Sequence, residues 1–322
     1  MDPYIENNLA WRILTQDDWD DLLSLRAQLE ALDDLVLPAT DRVIGESVQT
    51  VTPGDAIGGW DSYGNLSAFG WNIPEPGSHP AKLFLLGGVH PTHRYQGIGR
   101  ALLAWQEERA LTWRDEHHPE EPIWLGSYVE ADQVCLRHLL LERGFLAERY
   151  FFDMHRELFD LPRPHDVPGL VFENFSPERS HQVLQLHNSC FSAQIDDDAW
   201  AESLKEETFR SDWSWIAISG DEVVGYCLSG TDDAAGLDGV MEGWCDRLGV
   251  ARAHRHHGVA QALLCRSLHS MAASGCPAAG IGVDTRNREV ADWLHRVLGY
   301  EERDSVTLFG KSIPAACDKL AQ

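Results

Sequence analysis

Two stretches of the chain set an arginine ahead of a glycine-bearing turn: Arg94-Tyr95-Gln96-Gly97-Ile98-Gly99 and Arg255-His256-His257-Gly258-Val259-Ala260. Each follows an apolar run and opens a helical pattern. A strand that enters a helix through such a turn aims several backbone N–H groups at one point, and the helix dipole adds partial positive charge there. The resulting nest binds phosphate without any net positive charge. Gly97 and Gly99 let the backbone approach closely, and Arg94 can pair with phosphate oxygens. The spacing is not G-x-G-x-x-G and no G-K-[ST] ending follows, so a dinucleotide turn and a P-loop are both disfavoured. Just ahead of the second copy, Glu242 and Asp246 lie four apart, which on a regular strand puts them on one face. There they can exchange protons or pair with Arg247, Arg252 or Arg255.

The elements around these residues are written twice. An opening strand (9–14; 169–175) leads into helical sequence and then an extended pair (about 55–72; 213–230). The second pair turns at Ser219-Gly220-Asp221, a hairpin signal. A strand (82–89; 241–250) then enters the glycine turn, followed by a helix (98 to about 116; 259–273). A strand (122–129; 278–284), a helix (131–144; 288–299) and a last strand (150–158; 304–313) complete each half. The stretch 158–169 has three prolines and no helical period, which suits a linker. The expected fold is α/β: two tandem domains, 1–157 and 170–322, each a mixed, mostly antiparallel sheet flanked by helices, with 158–169 between them.

The 322 residues, 43% hydrophobic, are ample for two cores. A formal net charge of -25 argues against nucleic acid or an anionic membrane as partner and is compatible with a cationic amine. Seven cysteines without a C-x-x-C pair read as reduced thiols. No N-terminal apolar h-region and no membrane-length apolar run stand out, so a cytoplasmic location is expected. His254, His256 and His257 cluster near Arg255, but no second ligand group accompanies them, and no metal is expected.

The segment "VHPTHRYQGIGRALL" (89–103) closely resembles the acetyl-CoA-binding signature of the GNAT acetyltransferase superfamily, [Q/R]-x-x-G-x-[G/A]. Arg94, Gly97 and Gly99 match it in one half, and Arg255, Gly258 and Ala260 in the other. "VDTRNREVADWLHRVLGY" (283–300) resembles a second signature of that family, with Asn287 after the fifth strand, and 129–145 is a looser copy. The resemblance covers nearly the whole chain and is to tandem, two-domain members. It implies acetyl-CoA as acyl donor, its pantetheine in a splay between the fourth and fifth strands. Gly87, Gly88 and Val89, or Leu248, Gly249 and Val250, would bond the pantetheine. Residues 94–99 (Arg94, Tyr95, Gln96, Gly97, Ile98, Gly99) or 255–260 would hold the pyrophosphate.

Acetyl transfer to an amine needs a proton acceptor, donors for the oxyanion and a proton for the leaving thiolate. The resemblance implies a carboxylate base on or near the fourth strand, for which the second half offers Glu242 and Asp246, while "KLFLLGG" (82–88) offers none. Where the family places a tyrosine as acid, this chain has Leu140 and His295. Catalysis is therefore expected in the second half, on the amine of a small molecule or peptide, with the first half binding acyl-CoA or structural. The missing tyrosines leave a second reading open, a non-catalytic acyl-CoA-binding or regulatory module. Trp213, Trp215, Trp244 and Trp293 could line an acceptor cleft, but aromatic strand residues are more often core, and the core is expected for them.

Overall fold

The structure, a computed structural model, describes residues 9–33, 54–75, 77–191, 194–231, 242–286 and 288–315. Asn287 lies outside the described residues. The chain forms two compact units, Met1–Tyr150 with Asp304–Gln322, and Phe151–Arg303.

In the first unit, β1 (Ala10–Ile13), α1 (Trp19–Asp33), β2 (Ala56–Trp60), β3 (Leu66–Pro74) and β4 (Ala81–Val89) come in order. Helix α2 (Ile98–His117), β5 (Ile123–Glu130) and α3 (Val134–Glu142) follow. Strand β6 (Leu146–Glu157) belongs to the second unit from Phe151 on, and β7 (Val171–Asn174) leads to α4 (Ser180–Cys190) and α5 (Asp197–Ser203). Next come β8 (Trp215–Ser219), β9 (Glu222–Thr231), β10 (Gly243–Val250) and α6 (Val259–Ala273). The unit continues with β11 (Ala278–Thr285) and α7 (Glu289–Leu298), and β12 (Glu301–Ile313) ends the described chain.

The first unit's strands run β1-β2-β3-β4-β5-β12, and the second's run β7-β8-β9-β10-β11-β6. Within each, one neighbouring pair is parallel (β4 with β5, β10 with β11), and the other registered pairs are antiparallel. The mixed, mostly antiparallel architecture is as the sequence suggests. The division of the chain is not the contiguous one marked by the prolines. Residues 151–157 belong with the second unit and 304–322 with the first. Phe309 and Ile313 of β12 are buried with Leu83, Leu125, Leu140 and Phe145, so the C-terminal strand completes the N-terminal core. A strand's alternation states which face it buries, not which neighbour it pairs with, and so 150–158 and 304–313 read as local last strands.

Local chemistry explains the element ends. Gly97 and Gly258 precede α2 and α6 in the left-handed region, at φ 83 and 82. Gly220 turns the β8–β9 hairpin at φ 61, and Gly299 closes α7 at φ 70. The Asp196 carboxylate caps α5 by accepting from the Ala199 N–H at 2.8 Å. In the second unit, α4 and α5 cover one face of β8 and β9, where Val183, Leu184, Trp200, Ile216, Tyr226 and Leu228 form a core cluster. Helix α6 packs against β8, β9 and β10. Its Val259 and Leu263 side chains would stand 3.0 and 3.1 Å from a Cβ at Gly225, tighter than ordinary contact.

Candidate active site

Both units part their two parallel strands. Pairing of β4 with β5 runs only from Ala81–Ile123 to Phe84–Gly126. Pairing of β10 with β11 runs only from Gly243–Ala279 to Cys245–Ile281. Beyond these points β4 and β10 stay paired on their other edge, to β3 and β9. The edge facing the gap in Leu248, Gly249 and Val250, and in Gly87, Gly88 and Val89, is therefore not taken up by the fifth strand. The gap in the first unit is bridged at its start, where the Ser127 hydroxyl donates to the Leu85 carbonyl at 3.2 Å.

The glycine turns at the end of these strands are near copies. Tyr95 and Gly97 have φ 62 and 83; His256 and Gly258 have φ 63 and 82. Alternation of ordinary and left-handed residues is the backbone form of an anion nest, and each is followed by a helix N-terminus. A Cβ built on Gly97 meets nothing within 4 Å, so the space beside that turn is open. The arginines have a structural task first. Arg94 Nε donates to the Val89 carbonyl and Arg255 Nε to the Val250 carbonyl, both at 2.9 Å. Each ties its turn to the strand end. His254 turns a buried Nδ1 that has no hydrogen-bond partner, while His256 and His257 are exposed. Among the described residues, no group of three His, Cys, Asp or Glu side chains could hold a metal ion.

The second unit places a polar pair at the parting of its strands. The β9–β10 register slips between Cys245 and Arg247, making Asp246 the extra residue of a β-bulge. A bulge re-aims side chains, and here it undoes simple alternation. The Asp246 carboxylate lies over Gly230, with Oδ2 3.2 Å from where a Cβ would stand on that glycine. Arg247 donates to the Ser203 hydroxyl at 2.9 Å, and its guanidinium sits 5.2 Å from the Trp200 ring centre. Gly230 lies two and four residues from Leu228 and Tyr226, so all three belong to one face of β9. Asp246 and Arg247 thus both look toward the side covered by α4 and α5. Behind them, the buried His187 Nδ1 and Tyr226 hydroxyl are 2.7 Å apart. Burial, then the Arg247 charge, holds the His187 pKa below its ordinary value. Burial pushes the Tyr226 phenol well up, so it stays protonated. The Tyr226 ring lies directly on Gly249; a Cβ there would stand 2.4 Å from a ring carbon.

Glu242 occupies a different setting from Asp246. It precedes β10, ahead of the bulge that carries Asp246. Its Oε2 is 3.3 Å from His155 Nδ1, and the other ring nitrogen of His155 is 3.0 Å from Asp153. The His155 ring meets Trp244 edge-on at 5.5 Å, and Trp244 lies across Gly280 of β11. His295 is exposed near the end of α7, its Nδ1 2.9 Å from the Tyr300 carbonyl and 3.4 Å from Glu301. Those contacts fasten it to its own helix end. Trp213 and Trp215 serve the core face, donating to Ser274, just past α6, and to Ser270 of α6. Sequence reasoning missed His155 and Asp153, which arrive on β6 from the other half of the chain, passed over Ser203, His187 and Tyr226, and saw Arg247 only as a partner for the carboxylates. The odd charged step Asp246-Arg247 in an otherwise apolar strand was the available signal.

The first unit lacks this chemistry. The repeat sets Leu85 and Leu86 where the second unit has Asp246 and Arg247. Its β3–β4 register runs unbroken from Ala68–Val89 to Pro74–Leu83, with no bulge. Gly88, the counterpart of Gly249, is covered by Leu29 of α1, whose Cδ1 would be 2.3 Å from an added Cβ.

Residues 180–300 match the family described as the acetyltransferase (GNAT) family. A mycothiol acetyltransferase of Mycolicibacterium smegmatis is 30% identical over 141 residues, 44% of this chain and 43% of that protein. One from Mycolicibacterium vanbaalenii is 28% identical over 221 residues, 63% of this chain and 67% of that protein. The chain thus spans less than half the length of the first of these relatives. A GCN5-related N-acetyltransferase from Sphaerobacter thermophilus superposes with a TM-score of 0.64 at 21% identity, over 96% of both chains. A tandem GNAT protein from the clavulanic acid biosynthesis pathway gives 0.52 at 16% identity, over 94% of this chain and 98% of that one. Residues 180–300 thus match the GNAT acetyltransferase family, and the whole chain shares the fold of GNAT proteins, a tandem one among them.

Proposed function

We propose that the second unit transfers an acetyl group from acetyl-CoA to the amine of a small molecule or peptide. The observation that carries this is the contrast at the parted strands: a bulge presenting Asp246 and Arg247 in the second unit, against Leu85 and Leu86 on an unbulged strand in the first. The nest at 255–260 would receive the pyrophosphate, and the free edge of Leu248, Gly249 and Val250 the pantetheine. Acetyl-CoA supplies the activated thioester. Asp246, exposed at the head of the gap, takes the proton that the ammonium must lose before it can attack. Glu242, tied to His155, supports the β10 entrance rather than the proton transfer. The relatives named mycothiol acetyltransferase favour a small-molecule acceptor and make the acceptor of those enzymes the first to try. The first unit has an intact nest and a gap, which supports acyl-CoA binding without turnover. Among the described residues no helix is long and apolar enough to cross a membrane.

The test is a coupled thiol-release assay with acetyl-CoA over an amine panel. Amine-dependent CoA release supports the reading. Saturable acetyl-CoA binding with no release for any amine contradicts it and favours a binding module.

A further inference from the structure

We infer that the bulge on β10 reads a zwitterionic acceptor: Asp246 takes its ammonium, and Arg247 takes a carboxylate on the same molecule. This rests on the proposed acetyl transfer at that site and names its substrate class.

Successive residues on a regular strand point to opposite faces, so a neighbouring acid and base would normally serve different surroundings. The slip between Cys245 and Arg247 sets both against the same face of β9. Asp246 stands over Gly230, and Arg247 stands over Trp200 and beside Ser203. Opposite charges are thus offered side by side at the point where β10 leaves β11.

Arg247 is also held as a reader should be. The Ser203 hydroxyl takes one N–H, and the Trp200 ring backs the guanidinium. Its other N–H donors are left for a ligand, and among the described residues it forms no ion pair. A planar, fixed guanidinium with paired donors matches a carboxylate better than a hydroxyl or an apolar group. His187 cannot compete for the anion, because burial and Arg247 itself keep it neutral. The strongly acidic chain attracts ammonium groups in general. Arg247 would select, among the amines so attracted, those that carry an anionic group close by.

The experiment compares matched acceptors with the full chain: α-amino acids and dipeptides against their C-terminal amides and their decarboxylated amines. Initial rates of CoA release give kcat and KM for each pair. The free carboxylate is expected to raise kcat/KM at least about tenfold, as one desolvated charge-assisted contact would. Arg247→Met should erase that preference through the KM of the acids, so that acids and their neutral counterparts are used alike. Arg247→Lys should keep part of it, which separates loss of charge from a packing defect. Equal use of acids and amides by the unmodified protein overturns the inference, as does an equal loss for both classes in Arg247→Met. Calorimetric binding of the same pairs to the CoA-loaded protein needs no turnover. Tighter binding of the acids there, lost in Arg247→Met, supports the inference even if acetyl transfer fails; equal binding of acids and amides rejects it independently.

Discussion

The His155 ring on β6 meets the Glu242 carboxylate at the entrance to β10 at 3.3 Å, joining residues from opposite halves of the sequence. The contact gives Glu242 a structural partner, whereas Asp246 is the extra residue of the bulge. Glu242→Gln should therefore leave kcat within about threefold and cost roughly 1 kcal/mol or less of stability, the usual range for a partly exposed pair. Rate assays and urea titration of the same variant check both. A hundredfold fall in kcat would move the base from Asp246 to Glu242.

The tight contact of Tyr226 on Gly249 predicts a penalty for any side chain there. Gly249→Ala should lower stability by about 1–3 kcal/mol, the range for overpacking, because the ring has the His187 contact to keep. It should also weaken acetyl-CoA binding, since the same residue borders the gap. A urea midpoint and an acetyl-CoA titration equal to those of the unmodified protein would refute both expectations.

His187 gives a pH dependence of known sign. Its folded pKa lies below the unfolded value of about 6.5, so the unfolded chain binds the extra proton more readily. The stabilising share of neutral His187 is complete above about 6.5 and is lost as pH falls from there toward the folded pKa. His187→Gln should flatten that part of the stability profile between about pH 7.5 and 5.5 in urea unfolding. An unchanged slope in the variant would show that other groups cause it.

Because β12 completes the first unit, damage near the C-terminus should be felt in the N-terminal core. Phe309→Ala removes a ring buried among Leu83, Leu125 and Phe145 and should destabilise that unit by about 3–5 kcal/mol. Hydrogen exchange should quicken in β4 and β5, while β9 and β10 keep their protection. Faster exchange in β9 and β10 alone would contradict the assignment of β12.

Much of this was legible in the sequence, for identifiable reasons. The glycine turns were readable because Gly97 and Gly258 fill left-handed positions that few residues tolerate. The α6 helix was readable from its apolar period, and the β8–β9 hairpin from Gly220. The exchange of β6 and β12 was not, since pairing between distant strands depends on register and tertiary packing rather than on local pattern. The bulge was not either: one slipped residue at Asp246 leaves no compositional mark, yet it decides which charged side chains share a face. His155 was hidden for both reasons, on a strand assigned to the other half.

The most direct test of the account is Asp246→Asn assayed for amine-dependent CoA release alongside acetyl-CoA affinity. The account predicts a loss in kcat of about a hundredfold or more, typical for removal of a general base, with acetyl-CoA binding unchanged within about twofold. Retention of kcat within a few fold would contradict catalysis by Asp246 at the β10 bulge.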